Sequence, residues 1–520
     1  MIAIATLGIA ASCTSSSDEL EVKLDSGVVR GASTNGVRSF LGIPFAAPPV
    51  GDLRWRAPQP VTPWSGVLDA RQTGSACPQT FLGTYTDEDC LYLNVWAPSG
   101  ARNLPVMVWI HGGAFISGSG GDKWYDGALL ASQGVIVVSI NYRLGAFGFF
   151  AHPALDGEDP AYPTSGNYGL EDQRAALLWV QHNIKAFGGD PQRVTLFGES
   201  AGGFSVCAQY VSSRNQGLFE AAISESGLCT SDLVTIGHAT AQSLGLDLAA
   251  QLGCPGGGAS AIACLRGVST EALLNATMLP PVANQTPGGP FYQTSVLANQ
   301  LPNVDGFVIE QDLRTAFAAG GFAPLPLVIG NNADEGTLFE APIYALQVTN
   351  DTDYRAALAT RFGSANVAAI EAQYPFNAPI NYGALAAVTG DAFFVCPTRR
   401  AARGAATAGA PVFRYVYDEP PQNPFAQNLG VFHSAEIPFV FGNDDFPLDR
   451  IGSDTEMVTI MQAYWLNFAK QHDPNDAPHL PTWAAYDAAS DPYRLLDVGA
   501  GGGTGYKTAQ CDFWDALPPP

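Results

Sequence analysis

Positive charge is scarce in this sequence, in which 25 lysine and arginine residues stand against 48 aspartate and glutamate residues. The resulting net charge of −23 repels phosphate backbones and therefore argues against nucleic acid as a partner. Charged residues make up only 14% of the chain, whereas hydrophobic residues make up 47%. These proportions are typical of a globular protein and argue against a disordered one.

Long hydrophobic runs are also missing, since no stretch of 18 apolar residues that could span a membrane occurs. A shorter apolar run, 2–11, suits the hydrophobic region of an export signal. Small residues and Cys13 follow it, which resembles a lipoprotein signal whose cysteine is lipidated. Ala10 stands where leucine is usual and no basic residue precedes the run, so an ordinary secretory signal and a disordered tail remain alternatives. We expect 1–17 to be a signal segment with a disordered linker. We expect the protein to be exported, either as a secreted or periplasmic protein or as a membrane-anchored lipoprotein.

The chain has nine cysteines, of which eight remain when Cys13 is set aside. Eight cysteines allow 105 complete pairings, so the sequence alone does not give the connectivity. An export signal together with an even number of cysteines favours disulfides over free thiols.

Buried strands alternate with helices along the chain, and no internal repeat occurs. Near-continuous apolar strands of this kind, connected by helices, predict a mostly parallel, twisted central sheet covered by helices on both faces. The middle, 240–324, is rich in Ala, Gly and Pro and is expected to form a helical or irregular cap on the sheet. Strands are predicted at 105–110, 134–141, 194–197, 221–226, 325–330 and 411–417, and helices at 170–187 and 455–471.

The segment around Ser200 has the pattern of a nucleophile elbow. Residues 198–202 read G-E-S-A-G, which matches G-x-S-x-G, and they lie between the predicted strand 194–197 and a segment that can continue as a helix. Such a turn holds the serine in a strained backbone conformation with its hydroxyl exposed. Glycines flank the serine because a Cβ there would clash with the neighbouring strand or helix.

A serine hydroxyl becomes a nucleophile only when a histidine removes its proton and a carboxylate orients that histidine. In this type of fold the acid and then the histidine follow the serine in the chain. His433 lies in a loop between a polar segment and an apolar run, which makes it the best candidate base. Asp334 and Glu335 both follow the predicted strand 325–330, and from the residues alone either could be the acid. The other histidines are His111, His152, His182, His238, His472 and His479.

The oxyanion of an acyl-transfer reaction needs preorganised N–H donors. Ala201 supplies one directly after the candidate nucleophile. The segment 111–115, which reads H-G-G-A-F, ends a predicted strand, and its small residues allow the backbone to approach a substrate.

Several motifs together resemble the type-B carboxylesterase family, the cholinesterase-like α/β-hydrolases. They extend over nearly the whole chain, from about 40 to 514. The motifs are EDCLYLN at 88–94, WIHGGAF at 109–115, NYRLG at 141–145, FGGDP at 187–191, FGESAGG at 197–203 and ADEGT at 333–337.

The resemblance implies one α/β-hydrolase catalytic domain over 18–520 and a Ser-His-Glu triad. The triad would be Ser200, Glu335 and His433, because the family's acid is the glutamate directly before glycine in ADEGT. The oxyanion donors would be the N–H groups of Gly113, Ala114 and Ala201, although many family members have glycine at position 114. Further positions implied by the family are Glu199 and Ser226 beside the triad, a structural Arg54–Glu88 salt bridge, and the disulfides Cys77–Cys90, Cys254–Cys264 and Cys396–Cys511.

Two cysteines, Cys207 and Cys229, have no counterpart in this implied pattern, and they either pair or stay as buried thiols. Cholinesterases carry a tryptophan in the loop between the first two cysteines, where it binds a quaternary ammonium group. The corresponding loop here, 78–89, has no tryptophan. Phe81 and Tyr85 could take its place, but the departure argues against choline esters.

The expected function is hydrolysis of small-molecule carboxylic esters through an acyl-enzyme, a reaction that needs neither a metal ion nor a cofactor. A lipase or sterol esterase acting on long-chain esters is the alternative within enzymes. A non-catalytic binding module is a minor alternative, because the family includes adhesion proteins that have lost triad residues, whereas all three are present here. Membrane attachment is expected only through a lipidated Cys13.

Overall fold

The structure is a computed structural model that describes residues 20–79, 86–231, 234–277, 300–340, 348, 350–376, 383–424, 426–446, 454–476, 480–499 and 501–518. The predicted signal segment lies outside the described residues, as do Phe81 and Tyr85 of the loop between the first two cysteines.

The described strands range in length from two to eleven residues. In chain order they are β1 (Glu21–Lys23), β2 (Val28–Arg30), β3 (Ala32–Thr34), β4 (Val37–Pro44), β5 (Val67–Asp69), β6 (Tyr92–Pro98), β7 (Leu104–Ile110), β8 (Ile136–Ile140), β9 (Gly189–Glu199), β10 (Ala221–Glu225), β11 (Ile236–Gly237), β12 (Asn303–Val304), β13 (Leu327–Asn332), β14 (Val412–Tyr417), β15 (Pro492–Leu496) and β16 (Gly502–Thr504).

The main sheet of the described residues has eleven strands in the order β16-β15-β14-β13-β10-β9-β7-β8-β6-β4-β3. The strands from β8 through β7, β9, β10, β13 and β14 to β15 are parallel to their neighbours. The pairs at the two ends of the sheet are antiparallel. This is the mostly parallel central sheet that the sequence predicts.

The α-helices cover the sheet and build the region between β10 and β14. They are α1 (Ala128–Ser132), α2 (Gly145–Phe149), α3 (Tyr168–Asn183), α4 (Ala201–Val211), α5 (His238–Gln251), α6 (Ala259–Arg266), α7 (Thr270–Thr277), α8 (Leu313–Ala319), α9 (Gly336–Glu340), α10 (Asp351–Phe362), α11 (Val367–Gln373), α12 (Gly383–Thr389), α13 (Cys396–Thr407), α14 (Ile437–Phe441), α15 (Thr455–Gln471) and α16 (Thr508–Ala516).

Both faces of the sheet are buried, as the alternation along β7 shows. Val106, Val108 and Ile110 belong to a hydrophobic cluster that includes residues of α3 and α4. Met107 and Trp109, which point the other way, belong to a second cluster that includes residues of α1 and α15. Since successive side chains of a strand point to opposite faces, a strand covered on both sides must be apolar throughout.

The predicted elements agree closely with the observed ones. The predicted helix 455–471 coincides with α15, and the predicted strand 194–197 lies within β9. The predicted strand 325–330 is shifted, because β13 begins at Leu327 and continues to Asn332. The middle region contributes α5, α6, α7 and α8. Within the described ranges, no helix combines the length and the apolarity needed to cross a membrane.

Four disulfides cross-link the described residues: Cys77–Cys90, Cys207–Cys229, Cys254–Cys264 and Cys396–Cys511. Cys207 and Cys229, which the sequence left open, are therefore paired. Their disulfide joins α4 to the segment that follows β10.

Candidate active site

Ser200 lies in the sharp turn between β9 and α4. Its backbone has φ 59° and ψ −123°, a conformation that is strained for a residue with a side chain. A backbone hydrogen bond helps to hold Ser200 in this conformation: its N–H donates to the carbonyl of Glu225 at 2.9 Å. A Cβ added to Gly198 or Gly202 would come within 2.6 Å or 2.0 Å of the carbonyl oxygen of Ile110. The turn therefore needs both glycines, for the reason the sequence suggested.

Glu335 and Asp334, which the residues alone did not distinguish, have different environments. One carboxylate oxygen of Glu335, Oε1, accepts hydrogen bonds from the Ser226 hydroxyl at 2.5 Å and from the Asn332 N–H at 2.7 Å. The other oxygen, Oε2, lies 2.6 Å from Nδ1 of His433. The side chain is buried. Two donors on one oxygen thus leave the second oxygen to orient the imidazole.

Asp334 instead secures the loop that carries the histidine. Its carboxylate accepts the Val431 N–H at 2.9 Å, and its own N–H donates to the Val431 carbonyl at 3.0 Å. These two hydrogen bonds fix the loop two residues before His433.

His433 is buried between aromatic rings and carboxylates. Its ring lies 4.7 Å from the ring of Phe394 and 5.0 Å from that of Phe339. Phe394 belongs to a π-helical turn, Gly390–Val395, a rare backbone form that often occurs at functional sites. Burial disfavours the imidazolium, but the carboxylates of Glu199 and Glu335 outweigh it and raise the pKa of His433 to about 9.

The second ring nitrogen of His433, Nε2, makes no hydrogen bond with any of the described residues, including Ser200. Oε1 of Glu199 lies 3.1 Å from it, but not in a direction that allows a hydrogen bond. The same carboxylate oxygen accepts a hydrogen bond from the Ser434 hydroxyl at 2.6 Å. Glu199 therefore acts on Nε2 through its charge. Nε2 itself remains able to form a hydrogen bond with another group.

The turn after β7 lies beside Ser200, since a Cβ on Gly112 would approach the Cβ of Ser200 to 3.0 Å. Gly113, Ala114 and Phe115 all have positive φ values, of 103°, 54° and 64°. The N–H groups of Ile116 and Ser117 both donate to the Gly113 carbonyl at 3.0 Å, which closes the turn. The N–H groups of Gly113, Ala114 and Ala201 donate to no acceptor within the part of the chain that the structure describes. They are therefore available to an oxyanion.

Two further buried carboxyl groups interact electrostatically with Glu199, and the sequence analysis singled out neither of them. Glu436 accepts a hydrogen bond from the Asn332 amide at 2.6 Å, and burial together with the charges of Glu199 and Glu335 raises its pKa to about 8. Glu225 accepts from the Trp465 indole at 3.0 Å, and burial raises its pKa well above the ordinary value. Glu436 lies three residues after His433, and this closeness in sequence was the available indication for it.

His111 packs beneath the turn after β7. Its Nδ1 lies 2.8 Å from the Gly112 carbonyl, and its ring stacks on Tyr142 at 4.5 Å. Burial lowers its pKa to about 4, so it stays neutral and supports the turn after β7. Arg54 and Glu88 form the expected buried salt bridge, with a hydrogen bond of 2.7 Å. Among the described residues, no group of His, Cys, Asp or Glu side chains could hold a metal ion.

Comparisons with known proteins agree on one family. The model of the carboxylesterase family matches residues 18–514. The chain is 39% identical to the para-nitrobenzyl esterase of Bacillus subtilis over 488 residues, covering 91% of this chain and 93% of that protein. It is 37% identical to the fumonisin B1 esterase of Sphingopyxis macrogoltabida, over 93% of this chain and 88% of that one. It is 34% identical to the acetylcholinesterase of Bungarus fasciatus, over 96% and 87%.

A comparison with solved structures leads to the same family. A solved structure of a PNB esterase superimposes with a TM-score of 0.82 at 35% identity, covering 95% of this chain and all of that one. Because the family model spans nearly the whole chain and several relatives exceed 30% identity, the chain belongs to the type-B carboxylesterases and is a carboxylic-ester hydrolase.

Proposed function

We propose that ester hydrolysis here uses Ser200 as nucleophile, His433 as general base and acid, and Glu335 as the orienting carboxylate. The observation that carries the proposal is the 2.6 Å contact between Glu335 and Nδ1 of His433, with Nε2 left without a hydrogen bond. Glu335 fixes the tautomer in which Nδ1 bears a proton, so Nε2 is free to accept one.

In the proposed mechanism, the Ser200 hydroxyl attacks the ester carbonyl while Nε2 of His433 takes its proton. The carbonyl oxygen becomes an oxyanion that the N–H groups of Gly113, Ala114 and Ala201 stabilise. The imidazolium then protonates the leaving alcohol, and an acyl-enzyme remains on Ser200. Water, deprotonated by His433, attacks this intermediate and releases the acid, which restores the serine hydroxyl.

The acyl side of the substrate is expected to be short. Phe339 and Phe394 stack on each other at 5.4 Å, and both rings contact the imidazole of His433. We propose that these rings, so close to the base, limit the length of the chain that fits beside the reacting carbonyl. We therefore propose a carboxylesterase acting on small esters rather than a lipase or sterol esterase.

Hydrolysis of p-nitrophenyl esters from acetate to palmitate tests this proposal. We expect kcat/KM to peak at the short chains, and Phe394→Ala to move the peak to longer ones. A peak at palmitate with a rate jump above the solubility limit would favour the lipase alternative. Labelling with a serine-directed phosphonate, followed by mass spectrometry of the peptide that contains Ser200, would locate the nucleophile independently of substrate choice.

The pH dependence of the reaction should reflect the raised pKa of His433. Only the neutral imidazole can accept the serine proton, so protonation below its pKa removes activity. Since that pKa is raised to about 9, we expect kcat/KM to rise through neutral pH, with an acid limb centred near 9. Glu199→Gln, which removes the charge nearest Nε2, should move this limb to lower pH. A wild-type limb at or below about 6.5, the ordinary value for histidine, would contradict the prediction.

We also propose that the protein is exported and that residues 18–520 form one catalytic domain. The four disulfides support an oxidising compartment, and the family match over 18–514 supports an undivided domain. Incorporation of labelled palmitate into the full-length chain but not into Cys13→Ser would distinguish a lipoprotein from a secreted enzyme.

A further inference from the structure

Ser434, the residue directly after His433, has an unusual backbone conformation. Its φ is 75°, in the left-handed region that glycine adopts easily and a serine adopts only under constraint. Strained residues persist where their surroundings hold them, and they are common at active sites. The conformation brings the Ser434 hydroxyl to 2.6 Å from Oε1 of Glu199, to which it donates a hydrogen bond.

The carboxylate that Ser434 contacts is the one beside the catalytic nitrogen. Oε1 of Glu199 lies 3.1 Å from Nε2 of His433. Its other oxygen, Oε2, packs against the turn after β7, since a Cβ on Gly112 would approach it to 2.8 Å. Within the described ranges, Ser434 is the one hydrogen-bond donor to this carboxylate. The position of the charge next to Nε2 therefore depends on a single hydroxyl.

The hydrogen bond also affects whether Glu199 is charged. Burial raises the pKa of Glu199, while the positive charge of His433 and the Ser434 hydroxyl both lower it. The other groups that face this carboxylate electrostatically are acids and phenols, which do not favour its ionisation. They are Glu225, Glu335, Glu436, Tyr125, Tyr142 and Tyr415.

We propose that Ser434 is a positioning residue for the hydrolytic reaction, whose hydroxyl holds the Glu199 carboxylate beside Nε2 of His433. There the carboxylate stabilises the imidazolium that forms in each proton transfer, without occupying the nitrogen that must reach Ser200. The role rests on the proposed function of His433 as the base. It goes beyond the triad because Ser434 acts through its hydrogen bond to Glu199.

Two substitutions of Ser434 test the role. Ser434→Gly removes the hydroxyl and also relieves the backbone strain, so a loss of activity cannot be attributed to poorer folding. Ser434→Ala removes the hydroxyl and keeps the strain. We expect both variants to lower the pH-independent kcat roughly 10- to 150-fold, as expected for losing one hydrogen bond to a charged group, with KM changed less than about twofold. The acid limb of kcat/KM should move to lower pH in both.

The Glu199→Gln background separates this role from a structural one. If Ser434 acts through the Glu199 charge, Ser434→Gly should cost less than about twofold in kcat once that charge is gone, because coupled residues are not additive. Asn35→Gly, a left-handed residue with φ 51° in the hairpin between β3 and β4, is the matched control and should leave kcat unchanged.

The experiments distinguish a failure of the positioning role of Ser434 from a failure of the proposed function. Wild-type kcat and an unmoved acid limb in both Ser434 variants would overturn the positioning role, as would an undiminished loss in the Glu199→Gln background. Full activity in Ser200→Ala would instead overturn the proposed function itself, whatever the Ser434 variants do.

Discussion

Ser200→Ala is expected to lower kcat by roughly four to six orders of magnitude, the range over which loss of a serine nucleophile acts in other hydrolases. The alanine cannot form the acyl-enzyme, so only the oxyanion donors and substrate binding remain to accelerate attack by water. The backbone should stay in place, because the hydrogen bond that holds residue 200 runs from its N–H to the Glu225 carbonyl and does not involve the hydroxyl. Pre-steady-state hydrolysis of p-nitrophenyl acetate measures both kcat and the acylation burst.

The control for this variant is an exposed serine far from the turn. Ser132→Ala, at the end of α1, removes a hydroxyl that donates a hydrogen bond to the carbonyl of Leu129 and should leave the rate unchanged. A Ser200→Ala enzyme with a normal melting temperature, no burst and almost no turnover would support the assignment. Retention of more than a few per cent of the wild-type rate would show that another residue is the nucleophile.

Glu335→Gln is expected to lower kcat about 10³- to 10⁴-fold, although it changes a single atom. The Ser226 hydroxyl and the Asn332 N–H both donate to Oε1 and will keep an oxygen at that position. The amide NH₂ must then face Nδ1 of His433, where it donates a hydrogen bond instead of accepting one. The imidazole is forced into the tautomer with its proton on Nε2, which cannot take the proton of Ser200. The expected signature is a loss in kcat with KM nearly unchanged.

Asp334→Asn gives the matched comparison, because it makes the same chemical change one residue earlier. The Asp334 side chain accepts one hydrogen bond, from the Val431 N–H, and an amide oxygen can accept it equally well. We expect its kcat to fall less than about fivefold. If Asp334→Asn were the damaging change and Glu335→Gln the mild one, the acid would be Asp334, the alternative that the sequence pattern left open.

Much of the fold could be predicted from the sequence because a strand covered on both faces has an unmistakable composition. The run 105–110 is apolar at every position, and the structure buries alternate residues of β7 in separate hydrophobic clusters. The predicted helix 455–471 likewise coincides with α15. The boundaries of β13 were less accurate, because Asn331 and Asn332 are polar residues that continue the strand towards the site.

Residues of the candidate site could be predicted where neighbouring residues in the sequence determine their conformation. They could not be predicted where their role depends on tertiary contacts. The turn at Ser200 is encoded by its two glycines, which lie within a few residues of it. Ser434 gave no such indication, since its significance depends on a left-handed backbone and on a carboxylate 235 positions away in sequence. Glu225 was missed for a similar reason, because its burial and its contact with Trp465 arise only when α15 packs on the sheet.

The Cys207–Cys229 disulfide has a consequence for how the enzyme loses activity. Cys207 lies two turns along the helix that begins after Ser200, and Cys229 lies three residues after Ser226, whose hydroxyl holds Glu335. The disulfide thus connects the helix that follows the proposed nucleophile to the residue that supports the proposed acid, and both cysteines are buried. A mild reductant should consequently leave this disulfide intact as long as the enzyme is folded, and its reduction should occur at the rate of global unfolding.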